Sequence, residues 1–279
     1  MFHVEQNKKK LHCETKDYLV TGEKFKVYLD QNNVIGKTYP VPQKEEMDKY
    51  YESEVYYPHS LNKKNLLTFL YTITRRYMHL KRLTWMRGYL ENGTSVLDYG
   101  CGSGDFVKYL RSKSIDAYGY EPNYNFCEQD FLTNQEGWTN KKYEVIVLWH
   151  VLEHIHNPFD LIQSLKKRLN KNGKIFIAIP NFKSFDSKYY GKYWAGYDTP
   201  RHLWHFSRKG IGLMAKENNF KILKVKSLHL DSIYVSCLSE KYKRSHFPLL
   251  IGIIIGCISI LKSLFTKESS SFLFVLKKA

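Results

Sequence analysis

Short, continuous apolar runs alternate along this chain with stretches whose apolar residues recur at helical spacing, the pattern of strands interleaved with helices. Val145 to Trp149 is apolar throughout, as a strand covered on both faces should be. KIFIAIP, ending at Pro180, follows a turn at Asn172-Gly173, and SFLFVL (Ser271–Leu276) supplies a last strand. Phe159 to Leu169 reads as an amphipathic helix after Pro158, and Ser207 as the N-cap of a helix running to Asn218 before a strand at Phe220–Leu230. Earlier, Leu66, Phe69, Leu70, Ile73, Tyr77, Leu80 and Leu83 form a helical stripe within Leu61–Leu90. Phe25, Val27 and Leu29 alternate like a strand after a turn at Thr21-Gly22. The sum is an α/β fold.

The pattern centres on Thr94–Asn123, TSVLDYGCGSGDFVKYLRSKSIDAYGYEPN. An apolar run ends at Asp98, glycines follow at 100, 102 and 104, and Phe106, Val107 and Leu110 recur at helical spacing. Ile115 to Tyr120 is a second short strand, ending at Glu121. In such a βαβ unit, glycine lets backbone approach a ligand, and the acid closing the next strand can accept hydrogen bonds from ribose hydroxyls. A dinucleotide fingerprint requires a third small residue where Asp105 stands, a carboxylate in the place of a pyrophosphate. Asp98, Asp105 and Glu121 suit instead a ligand with positive charge, such as a sulfonium carrying an amino group.

VLDYGCGSG resembles motif I of the class I S-adenosylmethionine (SAM)-dependent methyltransferases, and YEVIVLWHVLEHIHNP (Tyr143–Pro158) resembles their fourth-strand motif. DTPRHLWHFS (Asp198–Ser207) is similar to a substrate-side signature in a bacterial small-molecule subgroup akin to the ubiquinone-pathway O-methyltransferases. The resemblance implies a Rossmann-like fold with a seven-stranded, mostly parallel sheet and helices on both faces. It places SAM at Asp98, Tyr99, Gly100, Cys101, Gly102, Gly104, Glu121 and Pro122, with the backbone of Trp149 and His150 beside the methionine part. Asn123–Asn140 is short for a full third unit, and Asp130 and Phe131 are expected near the adenine. Residues 61–279 would form the catalytic domain, with a lid at 181–206 and an apolar helical insertion at 231–268. Residues 1–60 would form a small appendage. Relatives often begin with a zinc ribbon, but only Cys13 could match its cysteine pairs, so a metal-free appendage is expected.

Methyl transfer from a sulfonium needs proximity and alignment, and a base only where a hydroxyl must lose its proton. His150, Glu153 and His154 follow the fourth strand, sharing a face if a helical turn begins at His150. Three readings stay open. His150 or His154 acts as base with Glu153 orienting it; the group holds a divalent metal; or Glu153 and His154 only cap the loop. Relatives carry E-x-x-E-H here, linked with a divalent ion, and His150 replaces the first Glu. That substitution argues against the metal or shifts preference toward a softer ion, so none is expected, with Glu153 and His154 the ligands if one binds. H-x-x-E-H also matches an inverted zinc-protease motif, which Pro158 and the buried strand argue against. In the lid signature Arg201 could clamp an anionic substrate or pair with Asp198, and His202 or His205 could serve as base. Tyr193 and Trp194 suggest an aromatic-walled substrate pocket, and Tyr50–Tyr57 either crosses its mouth or packs on the surface.

Charge widens the question of partners. The net charge of +16 is spread through the chain with only short clusters, such as Lys241–Arg244, so a solvated basic surface is favoured over nucleic-acid binding. Five scattered cysteines and a polar N-terminus without an apolar run point to a reducing compartment, the cytoplasm. FPLLIGIIIGCISILKSLF (Phe247–Phe265) is marginal as a membrane span, and a span would keep SFLFVL from returning to the sheet. A helix buried over the domain is preferred to one lying shallowly in a membrane interface. The expected function is methyl transfer to a hydroxyl, or an amine, of a small-molecule, sugar or lipid-precursor acceptor. The alternative is a membrane-peripheral or interaction protein with an inactive fold. Oligomeric state is not legible.

Overall fold

The computed structural model describes residues 10–51, 66–90, 93–122, 131–134 and 136–279. Three antiparallel strands come first, β1 (Lys10–Lys16), β2 (Lys24–Leu29) and β3 (Ile35–Tyr39), followed by the long helix α1 (Leu66–Met86). The central layer builds from β4 (Ser95–Tyr99), α2 (Asp105–Arg111), β5 (Asp116–Tyr120), the two-residue β6 (Leu132–Thr133) and β7 (Tyr143–Trp149). After α3 (Pro158–Arg168) and β8 (Leu169–Pro180) come α4 (Phe185–Tyr190) and β9 (Trp204–Phe206). The chain continues through α5 (Arg208–Glu217), β10 (Phe220–Ser227), α6 (His229–Tyr242), α7 (Pro248–Thr266) and β11 (Ser271–Lys278).

Seven strands form the main sheet in the order β10-β11-β8-β7-β4-β5-β6, with β11 antiparallel to both its neighbours and the inner strands parallel. The unbroken apolar run of β7 is explained by its two faces. Val145, Val147 and Trp149 enter a core with Phe106, Phe176 and Met86, while Ile146 and Leu148 enter another with Leu97, Ile177 and Phe274. Strand order reverses between β4 and β7, and open α/β sheets bind ligands beyond the carboxyl ends at such a switch point. The third unit is indeed short, with β6 and a 3-10 turn at Glu136–Asn140.

Two local expectations are corrected. The turn at Asn172-Gly173 lies inside β8: Tyr143 faces Leu169 and Val145 faces Lys174, so residues 170–173 bulge opposite Glu144. The strand after α5 ends at Ser227, because α6 begins at His229. The Ser207 cap is present, its Oγ accepting the Gly210 N–H at 3.1 Å.

The N-terminal strands are not a free-standing ribbon. They form a four-stranded sheet, β1-β2-β3-β9, whose last strand comes from the lid segment, with Gly36 facing His205. A third core joins them to the lid and to α7 through Val27, Leu29, Phe182, Trp194, Tyr197 and Ile255. Within β1, His12 Nε2 meets Tyr197 Oη at 2.8 Å, and burial is the main reason the Cys13 thiol is pushed up to about 11.

Candidate active site

The cofactor end is a strand-to-helix turn held open by glycine. Gly100, Gly102 and Gly104 all have left-handed φ, at 79°, 53° and 73°. A Cβ at Gly100 would lie 2.4 Å from Val151, and one at Gly104 would lie 2.6 Å from Leu132. Gly102 instead faces open space, and its N–H donates to Glu121 Oε2 at 3.2 Å. The N–H groups of Gly100 and Cys101 both reach the Tyr120 carbonyl, so the turn is fastened to β5. Cys101 contributes backbone only, since its Sγ packs over Gly119. Tyr99 packs at a tilt against Tyr120 and edge-to-face against Trp138, and Pro122 lies exposed just beyond Glu121.

Asp98 is buried at the end of β4, and its Oδ1 accepts no hydrogen bond. Burial raises its carboxyl to about 7, while the Arg82 guanidinium opposes that rise. A buried acceptor without a donor, an open glycine face and a second carboxylate at Glu121 fit a ligand bearing an amino group, a sulfonium and ribose hydroxyls. Trp149 closes the other side, with Phe106 edge-on at 6.2 Å and Arg82 over its ring at 5.0 Å. Phe131 carries the Arg111 guanidinium 4.4 Å above its ring. Asp130 lies outside the described residues, as does most of Tyr50–Tyr57.

The segment after β7 departs from the expected helical turn. His150 adopts a left-handed φ of 55° and donates its N–H to the Ala178 carbonyl, and a 3-10 turn then spans Leu152–His154. His150 and Glu153 still meet, but His154 turns away toward the lid, so the three side chains do not share a face. His150 lies between two carboxylates, Nδ1 at 3.4 Å from Glu153 and Nε2 at 3.2 Å from Asp231 on α6. Burial opposes its protonation, but the two carboxylates outweigh that and raise its pKa to about 10. An imidazole already protonated at neutral pH cannot take a proton from an acceptor, which corrects its assignment as a base.

His154 and His202 differ from it. Each presents Nδ1 to a backbone carbonyl, Arg201 at 3.0 Å for His154 and Gly196 at 2.9 Å for His202. A carbonyl only accepts, so each ring carries a proton on Nδ1. Tyr51 Oη also lies 3.2 Å from His154 Nδ1. Burial lowers His154 to about 4. His202 Nε2 faces Glu153 Oε1 and Asp198 Oδ2, each at 4.0 Å. Glu153 is 1% exposed, and neither carboxylate oxygen makes a hydrogen bond. Ligand atoms of Glu153, His154 and His202 lie within 4.8 Å of one another, a set that could hold a divalent metal.

The lid residues are corrected too. Arg201 is 1% exposed and bound on every side: Nε to Asp198 at 3.0 Å, Nη1 to the Tyr50 carbonyl at 2.8 Å, and Nη2 to Asp17 at 2.9 Å and Asp198 at 2.7 Å. It ties the N-terminal sheet to the lid and presents no fork to a substrate. Trp194 is equally buried, its indole donating to Asp186, and it lines a small enclosed cavity with Glu153, His202 and His205. His205 packs on Tyr197 with Nε2 at 2.9 Å from Thr38 Oγ1, and burial drives its pKa well down, which removes it as a base. Tyr193 lies against Tyr18 in a separate basic cleft of about 1140 Å³, also lined by Lys16, Lys24, Lys192 and Lys241.

Sequence reasoning missed Arg82, Asp231 and Asp17. Asp98 and Asp231 both help to hold the buried Arg82 guanidinium charged, and Asp231 in turn faces His150, which faces Glu153. Arg82 sits in a helix whose apolar stripe gave no sign of a functional cation. Asp231 opens a helix assigned partly to a strand, and Asp17 precedes a turn that carried no motif.

A family profile described as a methyltransferase domain matches residues 70–225, more than half of the chain. The chain therefore belongs to the methyltransferase-domain family. Among curated proteins it resembles the ubiquinone biosynthesis O-methyltransferase of Glaesserella parasuis serovar 5 (strain SH0165), with 31% identity over 109 residues, covering 32% of this chain and 46% of that protein. The chain thus spans about half the length of the curated relatives it matches. Among solved structures, the magnesium protoporphyrin IX methyltransferase of Synechocystis PCC 6803 aligns with a TM-score of 0.52 at 13% identity, covering 85% of this chain and all of that one (100%). A SAM-dependent methyltransferase from Archaeoglobus fulgidus aligns with a TM-score of 0.50 at 18% identity, covering 77% and 100%. Both likenesses are of fold.

Proposed function

We propose that this protein transfers the methyl group of SAM to a hydroxyl of a small-molecule, sugar or lipid-precursor acceptor. The observation that carries the reading is a cation-seeking cradle, Asp98, Gly102 and Glu121, in the same molecule as a buried imidazole–carboxylate cluster. SAM supplies an already activated methyl group, so the chain's task is to align an acceptor and receive its proton. His202 suits that task. Its Nδ1–H is held by the Gly196 carbonyl, which leaves Nε2, facing Glu153 and Asp198, as the position to receive the acceptor's proton. A built proton acceptor favours a hydroxyl over an amine.

Incubation with methyl-labelled SAM and candidate acceptor pools tests the reading. Label should enter an alkali-stable ether, and His202→Gln should reduce incorporation about 10²- to 10⁴-fold with SAM affinity unchanged. Equal turnover by wild type and variant would reject His202 as base.

A second reading rests on the same cluster. Glu153, His154 and His202 would hold a divalent ion that polarises the acceptor oxygen, both imidazoles being oriented by backbone carbonyls as metal ligands are. In that case chelation abolishes turnover and a divalent ion restores it, whereas proton transfer to His202 alone is indifferent to chelator.

A further inference from the structure

Helix α7 is inside out. Its inner face is small and polar: Gly252, Gly256, Ser259 and Ser263 are buried, with Ile255 the only large apolar residue among them. A Cβ at Gly252 would lie 2.4 Å from Cys237 Cα, and one at Gly256 would lie 2.6 Å from Ile233 Cα, so α7 rides directly on the backbone of α6. Ser259 Oγ donates to the buried Asp186 at 2.7 Å, and Asp186 also receives Ser270 at 2.6 Å and Trp194 at 2.8 Å. The outer face is large and apolar. Leu249, Leu250, Ile253, Ile254, Leu261, Leu264 and Phe265 are exposed, Leu249 at 61% and Phe265 at 86%. This corrects the expectation that the helix is buried over the domain.

An apolar stripe along all 19 residues, about 28 Å, is more than scattered surface leucines account for. The charge beside it selects the occupant. Lys241, Lys243 and Arg244 are exposed just before the helix, and all three line the basic cleft that also holds Lys16, Lys24, Lys26 and Lys192. Among the acids nearby, Asp17 pairs with Arg201 outside the cleft, Glu14 with Lys26 within it, and Glu240 with Lys243, so the cleft stays basic through Lys16, Lys24, Lys192, Lys241 and Arg244. A protein partner or second copy would need an apolar strip flanked by acids; an anionic bilayer offers both over any area.

We propose that α7 lies in the interface of an anionic membrane, its apolar face in the acyl boundary and the Lys241–Arg244 cluster on lipid phosphates. The helix does not cross, because the Gly252–Gly256 seam and the Ser259–Asp186 bond hold its inner face on the domain while β11 returns to the central sheet. Membrane contact then bears on α6, which carries Asp231 against His150.

The test is flotation of the full-length protein with vesicles of phosphatidylcholine alone and of phosphatidylcholine with phosphatidylglycerol, supplemented by an alkaline carbonate wash. The proposal expects binding to the anionic vesicles, release by carbonate, and loss of binding in a Leu250→Glu, Ile254→Glu, Leu261→Glu variant. These positions are exposed, and an unchanged circular dichroism spectrum excludes misfolding. Lys241→Gln, Lys243→Gln and Arg244→Gln together should weaken binding about fivefold per residue, the factor equivalent to about 1 kcal/mol each. Failure to float with either vesicle overturns the proposal, as does equal flotation of the triple Glu variant. Carbonate-resistant binding would overturn the flat-lying geometry. A dimer in sedimentation, broken by the same Glu substitutions without vesicle binding, would assign the face to a second copy.

Discussion

At the scale of single residues, burial sets the behaviour of Asp98. Asp98 is raised to about 7, so the carboxylate that a cationic ligand needs forms as pH rises through neutrality. SAM affinity should therefore increase from about pH 6 to pH 8 and then level off, with proton release seen in buffers of differing ionisation heat; Asp98→Asn should abolish both effects. Stability of the ligand-free protein runs the other way. The folded value lies above the unfolded one, about 3.9, so ionising Asp98 costs stability as pH rises from about 4 to about 7. The Asn variant should lack that loss in denaturant titrations across the range. His202 was legible in sequence only as one of several histidines. What singles it out, the Gly196 carbonyl and two facing carboxylates, depends on the path of the lid.

Elements explain what the sequence could and could not reveal. β4, the glycine turn, α2 and β5 are local, so residue types along Thr94–Glu121 specify them without help from the rest of the chain. The Ser207 cap is local in the same way. β9 is three residues long and pairs with β3, from which it is remote in sequence; nothing in Trp204–Phe206 signals a strand. Arg201 is similar, since its partner Asp17 lies at the far end of the chain. An arginine in a substrate signature looks like a clamp until its acceptors are counted. Arg201→Ala should cost about 3–5 kcal/mol in urea unfolding, because Asp17 and Asp198 both lose the cation they are buried against. An Arg201→Lys variant should recover only part of it, because one ammonium cannot span the two carboxylates and the Tyr50 carbonyl. A loss below about 1 kcal/mol would return Arg201 to the list of substrate contacts.

Across the whole molecule, the N-terminal strands, the lid and the α6–α7 pair form one assembly over the carboxyl ends of the central strands. β9 closes the N-terminal sheet, Arg201 bridges Asp17 to Asp198, and Asp186 joins α4, α7 and the segment before β11. These contacts predict a single cooperative unfolding transition, with near-ultraviolet dichroism and tryptophan fluorescence changing together; two separated transitions would show that the N-terminal strands fold apart. The central claim is that the glycine turn receives SAM. Calorimetric titration of the purified protein with SAM, beside a Gly102→Arg variant, tests it most directly, since Gly102 faces open space and a side chain there would fill the cradle. Saturable one-to-one binding is expected, and the variant should lose it while keeping its fold. Absence of binding by the wild type, or undiminished binding by the variant, would contradict it.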